Sequence, residues 1–116
     1  MRYRLLGRTG LKVSELCLGT MTFGDRTAAD EAQRIVASAH DAGVNFIDTA
    51  DVYVNGESER IVGAAIKSHR PQWILATKAG NAMTGRPHDG GLSRRWLVRA
   101  CEDSLRRLGT DWIDIC

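Results

Sequence analysis

Phe46-Ile47-Asp48-Thr49-Ala50-Asp51-Val52-Tyr53 decides how this chain reads. Its first residues form a strand. Val44, Phe46 and Ile47 are β-formers, and Gly43 ahead of them stops a helix. The stretch then turns polar, with Asp48 at the strand's end and Tyr53 in the loop beyond. A carboxylate at a strand tip with a phenol in the next loop makes a candidate acid/base pair. The same residues also describe a strand ended by Asp48 and followed by a surface aromatic, so their neighbours have to decide.

On the amino-terminal side, residues 2–6 and 12–14 flank Gly7-Arg8-Thr9-Gly10, which predicts a β-hairpin over residues 2–14. A phosphate loop is rejected there, because no Lys-Ser/Thr pair opens a helix. Glu15–Thr20 is a short apolar run read as the first parallel strand, with Cys17 buried in it, and Met21–Gly24 is its exit loop. Thr27 is the expected cap of a helix with Asp30 and Glu31 in its first turn. Ala32, Ile35, Val36 and Ala39 recur on one face of that helix.

On the other side, Asn55-Gly56 is turn chemistry, and Glu57 or Ser58 opens a second helix with Val62, Ala65 and Ile66 facing one way. Trp73–Lys78 reads as the third strand, and a polar, Gly-rich loop follows from Ala79 to Leu92. Ser93 caps a third helix whose buried stripe is Leu97, Ala100, Cys101, Leu105 and Leu108, and Gly109 ends it. Trp112–Cys116 reads as a fourth strand. Trp73 and Trp112 are expected to pack at the lower end of the strands and Trp96 to be partly exposed.

Composition narrows the classes. The chain has 116 residues, 43% hydrophobic and 26% charged, which is ordinary for a globular domain with a modest core. A net charge of +2 is too weak to suggest nucleic acid as a partner, and no apolar run approaches membrane-spanning length. The first seven residues lack the apolar core of a secretory signal. Cys17, Cys101 and Cys116 are odd in number and widely spaced, which argues against a disulfide framework and a zinc site. A cytoplasmic location is the expectation.

Strands alternating with helices from residue 15 to 116 imply a parallel sheet. Its strand ends, Gly19, Asp48 and Lys78, lie 29 and 30 residues apart, the length of one βαβ unit. Side chains alternate along a strand, so Phe46 and Asp48 share one face of the second strand, and Ile74, Ala76 and Lys78 share one face of the third. Neighbouring strands run about 4.8 Å apart. Asp48 and Lys78 then project together from the carboxyl ends, where α/β sheets and barrels form active sites, and the Tyr53 loop leaves from the same end. A free phenol is a poor acid at neutral pH, but a nearby ammonium stabilises its phenolate. A phenol tuned this way can protonate a carbonyl oxygen that is gaining charge. An Asp48–Lys78 ion pair that only satisfies two charges fits the same spacing.

Several segments together resemble the aldo-keto reductases. They are Leu18-Gly19-Thr20-Met21-Thr22-Phe23-Gly24, Phe46 to Ala50 through Tyr53, Gly56-Glu57-Ser58-Glu59 with Gly63, Ala76-Thr77-Lys78, and Ser104 to Asp114. The resemblance implies a (β/α)8 TIM barrel that transfers hydride between NADPH and a small-molecule carbonyl substrate. It implies Tyr53 as proton donor, Lys78 as its tuning partner, and Asp48 bonded to that lysine. It also implies that Gly19, Thr20, Met21 and Asp48 lie beside the nicotinamide ribose. The family's catalytic His has no counterpart in His40, His69 or His88, each expected at a surface or helix end.

A (β/α)8 barrel needs about 250 residues. Residues 1–116 are therefore expected to be the amino-terminal half of such a barrel, incomplete as a domain, with exposed sheet edges. A longer parent chain, completion by a second copy, and an unstable piece are the three outcomes this leaves, with the first preferred. A regulatory role like that of the potassium-channel β subunits, which resemble this family, and a catalytically silent fragment are the alternatives to reductase activity. The five arginines of the third helix are expected on a solvated face, and the Asn81–Gly91 loop is expected to shape substrate access.

Overall fold

The computed structural model describes residues 1–116. The hairpin forms where expected. Strands β1 (Tyr3–Leu5) and β2 (Lys12–Ser14) pair antiparallel, with Tyr3 opposite Ser14. Asn45 fastens it to the rest of the chain. Its Oδ1 accepts from Ser14 N at 2.7 Å, and its Nδ2 donates to Lys12 O at 3.0 Å. The hairpin thus sits beside the beginnings of the parallel strands.

Those strands are β3 (Leu18–Gly19), β4 (Phe46–Asp48) and β5 (Ile74–Ala76), all parallel in that spatial order. Register aligns Gly19 with Asp48 and Asp48 with Ala76. The first strand is shorter than Glu15–Thr20, because Glu15 spends its N–H on Arg2 O and Leu16 its carbonyl on the Ser14 hydroxyl. Cys17 is consequently exposed rather than buried. The fourth strand shrinks further. Over Trp112–Cys116 the only ladder contact is a parallel bridge between Ala76 and Ile115. The Asp114 carboxylate takes Leu75 N–H at 2.9 Å, so a side chain replaces one backbone rung.

Helices α1 (Ala29–Asp41), α2 (Glu57–Ile66) and α3 (Arg94–Leu108) cover one face of the sheet. Ile47 and Leu75 point at them and are fully buried among Val36, Val62, Ile66 and Trp73. Ser93 caps α3 by accepting from Trp96 N, and Gly109 closes it at φ +62°, both as the sequence predicts. Thr27 does not cap α1. Ala28 holds that place, while the Thr27 hydroxyl is spent on Thr22 at 2.9 Å.

The buried side of α3 is turned relative to the expected stripe. Trp96, Ala100, Ser104 and Leu108 are buried, and Leu97, Cys101 and Leu105 are only half-buried. Gly63 sets the approach of α2 to α3. A Cβ there would stand 2.1 Å from Leu108 O, so no side chain fits. Trp73 is buried, but Trp112 is exposed, with the Arg70 guanidinium 4.2 Å from its ring centroid. No helix is long and apolar enough to cross a membrane.

Candidate active site

Strand parity sends Asp48 and Lys78 to the face away from the helices, at the carboxyl end of β4 and just past β5. The Lys78 ammonium donates to Asp48 Oδ2 at 2.6 Å and to Thr49 O at 2.7 Å. Its third acceptor is Tyr53 OH at 3.4 Å, a long contact that leaves the phenol's own proton free to be donated outward. The ammonium also lies 4.9 Å from the Tyr53 ring centroid. Partial burial disfavours the charged lysine. Its hydrogen bonds to Asp48 and Tyr53 and their charges outweigh that and raise its pKa above the ordinary lysine value. Lys78 is therefore an ammonium across the neutral range.

Tyr53 is set by an unusual turn. It opens a 3-10 segment, Tyr53–Gly56, whose last three residues all have positive φ: Val54 at 49°, Asn55 at 53° and Gly56 at 90°. A β-branched residue in this region is strained. Gly56 is held against Arg107, whose Cδ would lie 2.6 Å from any Cβ placed there. Val54 thus keeps a conformation it would not choose alone, and the turn delivers the phenol to Lys78.

A cavity of about 420 Å³ opens beside the trio, lined by Tyr53, Lys78, Asp51, Gly80, Asn81 and Leu92 among others. Its far wall comes from the loop after Lys78, where the sequence places a substrate-access element. A larger hollow of about 580 Å³ lies at the hairpin end, lined by Tyr3, Lys12, His40 and Gln72. It lies at the strands' beginnings, away from the trio. His40 and His69 stack there with ring centroids 4.8 Å apart, and His88 lies in the exposed loop. None of the three histidines joins the trio.

Gly19, Met21 and Asp48 lie at the same strand ends. A Cβ on Gly19 would meet nothing within 4 Å, and Met21 is exposed. Thr20 differs. It is buried, and its hydroxyl donates to Asp48 O at 2.9 Å and lies 3.1 Å from Ser58 Oγ. Ser58 in turn donates to Thr20 O at 2.8 Å and meets the Thr49 hydroxyl at 3.0 Å. This buried hydroxyl cluster braces the ends of β3 and β4 from behind.

Cys17 lies near enough to feel the same charges. Desolvation, then the Asp48 carboxylate, pushes its thiol pKa up, against the opposing Lys78 charge.

The chain belongs to the aldo/keto reductase family. The model of that family matches residues 15–116. The chain is 43% identical to an uncharacterised oxidoreductase of Bacillus subtilis over 99% of its own length and 38% of that protein's. It is 41% identical to a probable voltage-gated potassium channel β subunit of Oryza sativa, over 99% of this chain and 36% of that one. An aldo-keto reductase of Bacillus halodurans, solved in its holo form, superposes with a TM-score of 0.85 at 43% identity. That match covers 97% of this chain and 38% of the solved one. The chain thus spans 36–38% of the length of these relatives. Its hairpin and parallel strands correspond to the opening part of the family's TIM barrel. Membership implies an oxidoreductase lineage and a nicotinamide cofactor.

Sequence reading missed the residues behind the site. Glu59 is fully buried, accepts from Thr77 Oγ1 at 2.6 Å, and pairs with Arg107. Arg107 was expected on a solvated face, but this pair draws it inward to 16% exposure. The signal was present: Glu59 is in phase with Val62 and Ile66, on the apolar side of α2. Buried Asp51 had no such signal, since loops carry no period.

Proposed function

We propose that the intact protein reduces an aldehyde or ketone to an alcohol with NADPH, using Tyr53 as the proton donor. The observation that carries this reading is the single ammonium of Lys78 reaching Asp48, the Thr49 carbonyl and the Tyr53 phenol together. Asp48 holds Lys78 in place and charged. Lys78 stabilises the phenolate that remains after Tyr53 gives its proton to the carbonyl oxygen.

The strand ends suit the cofactor. Open space above Gly19, exposed Met21 and the part-exposed Asp48 carboxylate would receive a ribose and a flat ring. Thr20 would offer its backbone there, because its hydroxyl is engaged inside. When bound, the nicotinamide supplies hydride to the carbonyl carbon. Residues 1–116 are proposed as the amino-terminal part of the barrel, with the hairpin at residues 2–14 and the alternating units from 15 onward.

Mixing the intact protein with NADPH and a reactive aldehyde should consume the NADPH absorbance. Undiminished turnover in Tyr53→Phe would remove the proton-donor assignment. Similarity to plant channel β subunits favours a second reading, a binding or regulatory role on the same fold. Negligible turnover together with an effect that depends on a partner would select it.

A further inference from the structure

Two buried side-chain atoms have no hydrogen-bond partner, Asp51 Oδ2 and Trp96 Nε1. Their residues are 2% and 4% exposed, and both line one cavity of about 90 Å³ between Asp51, the loop after Lys78 and α3. An orphaned buried polar atom costs about 1–3 kcal/mol. Elsewhere in the interior such atoms are matched, as in Glu59, Ser58, Thr20 and Arg70. Here one orphan is an acceptor and the other a donor, and the two residues that carry them line the same cavity.

We propose that this cavity is a built water site, in which a water accepts from Trp96 Nε1–H and donates to Asp51 Oδ2. Complementarity selects the occupant. A cation would suit Asp51 but oppose the indole N–H, and an anion would suit the indole but oppose Asp51. Water serves both. The volume exceeds the roughly 10–15 Å³ that one water needs, and Thr84, Asp103 and Arg107 on the same walls supply further polar partners.

Asp51 also lines the cavity beside Tyr53 and Lys78, so the water stands directly behind the wall of the candidate active site. It links the turn that carries Tyr53 to α3 and to the loop after Lys78. The loop side is firm: Asp89 Oδ2 accepts from Thr84 at 2.8 Å and Asp89 Oδ1 from Arg99 at 3.3 Å. The site stands whether or not the protein reduces carbonyls.

The test is water-selective NMR on the intact protein with nitrogen-15-labelled tryptophan. The Trp96 indole N–H, assigned by its loss in Trp96→Phe, should show a cross-peak to a long-lived water. Asp51→Asn keeps an acceptor and should keep the cross-peak. Asp51→Leu removes the acceptor and should abolish it. A parent protein with no such cross-peak overturns the proposal without any variant. So does a cross-peak that survives Asp51→Leu, or a Trp96 signal that shifts with sodium concentration.

Discussion

Thr77 and Lys78 are consecutive residues that feed two different ion pairs. Thr77 turns to the helix side and donates to Glu59, which also holds Arg107. Lys78 turns the other way and holds Asp48. Glu59 is 0% exposed, whereas the Lys78 and Asp48 side chains are 51% and 32% exposed. Burial gives the two pairs different consequences. Removing one partner of a sealed pair strands the other charge in a poor solvent. An exposed pair keeps its water and adds only about 0–1 kcal/mol to stability. Holding the fold is therefore a weak explanation for Asp48 and Lys78, and a sufficient one for Glu59 and Arg107.

The sharpest way to break this contrast is Glu59→Ala. It should lower unfolding free energy in urea by about 3–5 kcal/mol, and a loss below about 1 kcal/mol would erase the difference between the two regions. Tyr53→Phe should cut kcat by about 10²–10⁴-fold while leaving Tm nearly unchanged. A matched fall in Tm would make Tyr53 another structural residue.

Asp51→Asn probes the boundary between the regions. Burial first, then the Glu59 charge, raises the Asp51 pKa, against the Val52 N–H and Arg107. Below the ordinary value of 3.8 both folded and unfolded states hold the proton, so nothing is lost. As pH climbs toward the raised folded value, the unfolded state ionises first and stability drains away. Asp51→Asn should flatten that acid-to-neutral fall and be relatively more stable at pH 7, as read by denaturation at stepped pH. An unchanged slope would mean that Asp51 carries no such penalty. The smallest effect belongs to Asp48→Asn, with a stability change under about 1 kcal/mol despite a clear loss of turnover.

Much of the site was legible because period-two alternation is a rigid rule. Phe46 fixed the face of Asp48, and Ile74 and Ala76 fixed that of Lys78, so a contact across 30 residues followed from counting. What counting misses is competition for hydrogen bonds. Trp112–Cys116 has the composition of a strand, but the Asp114 carboxylate takes Leu75 N–H and the ladder shrinks to one bridge. Thr27 has the chemistry of a cap, but Thr22 claims its hydroxyl. Trp96 is expected to be partly exposed in its helix's first turn, yet it lies on the buried side of α3 in line with Ala100, against the cavity it shares with Asp51.

Arg107 meets Glu59 on one side and presses on Gly56, three residues past Tyr53, on the other. The shape of the Tyr53 turn is thus written partly into a helix that carries none of the trio. A random-mutagenesis screen for lost activity should therefore return Arg107 and Gly56 alongside Tyr53. A designer transplanting the trio onto another scaffold would need to carry that arginine too.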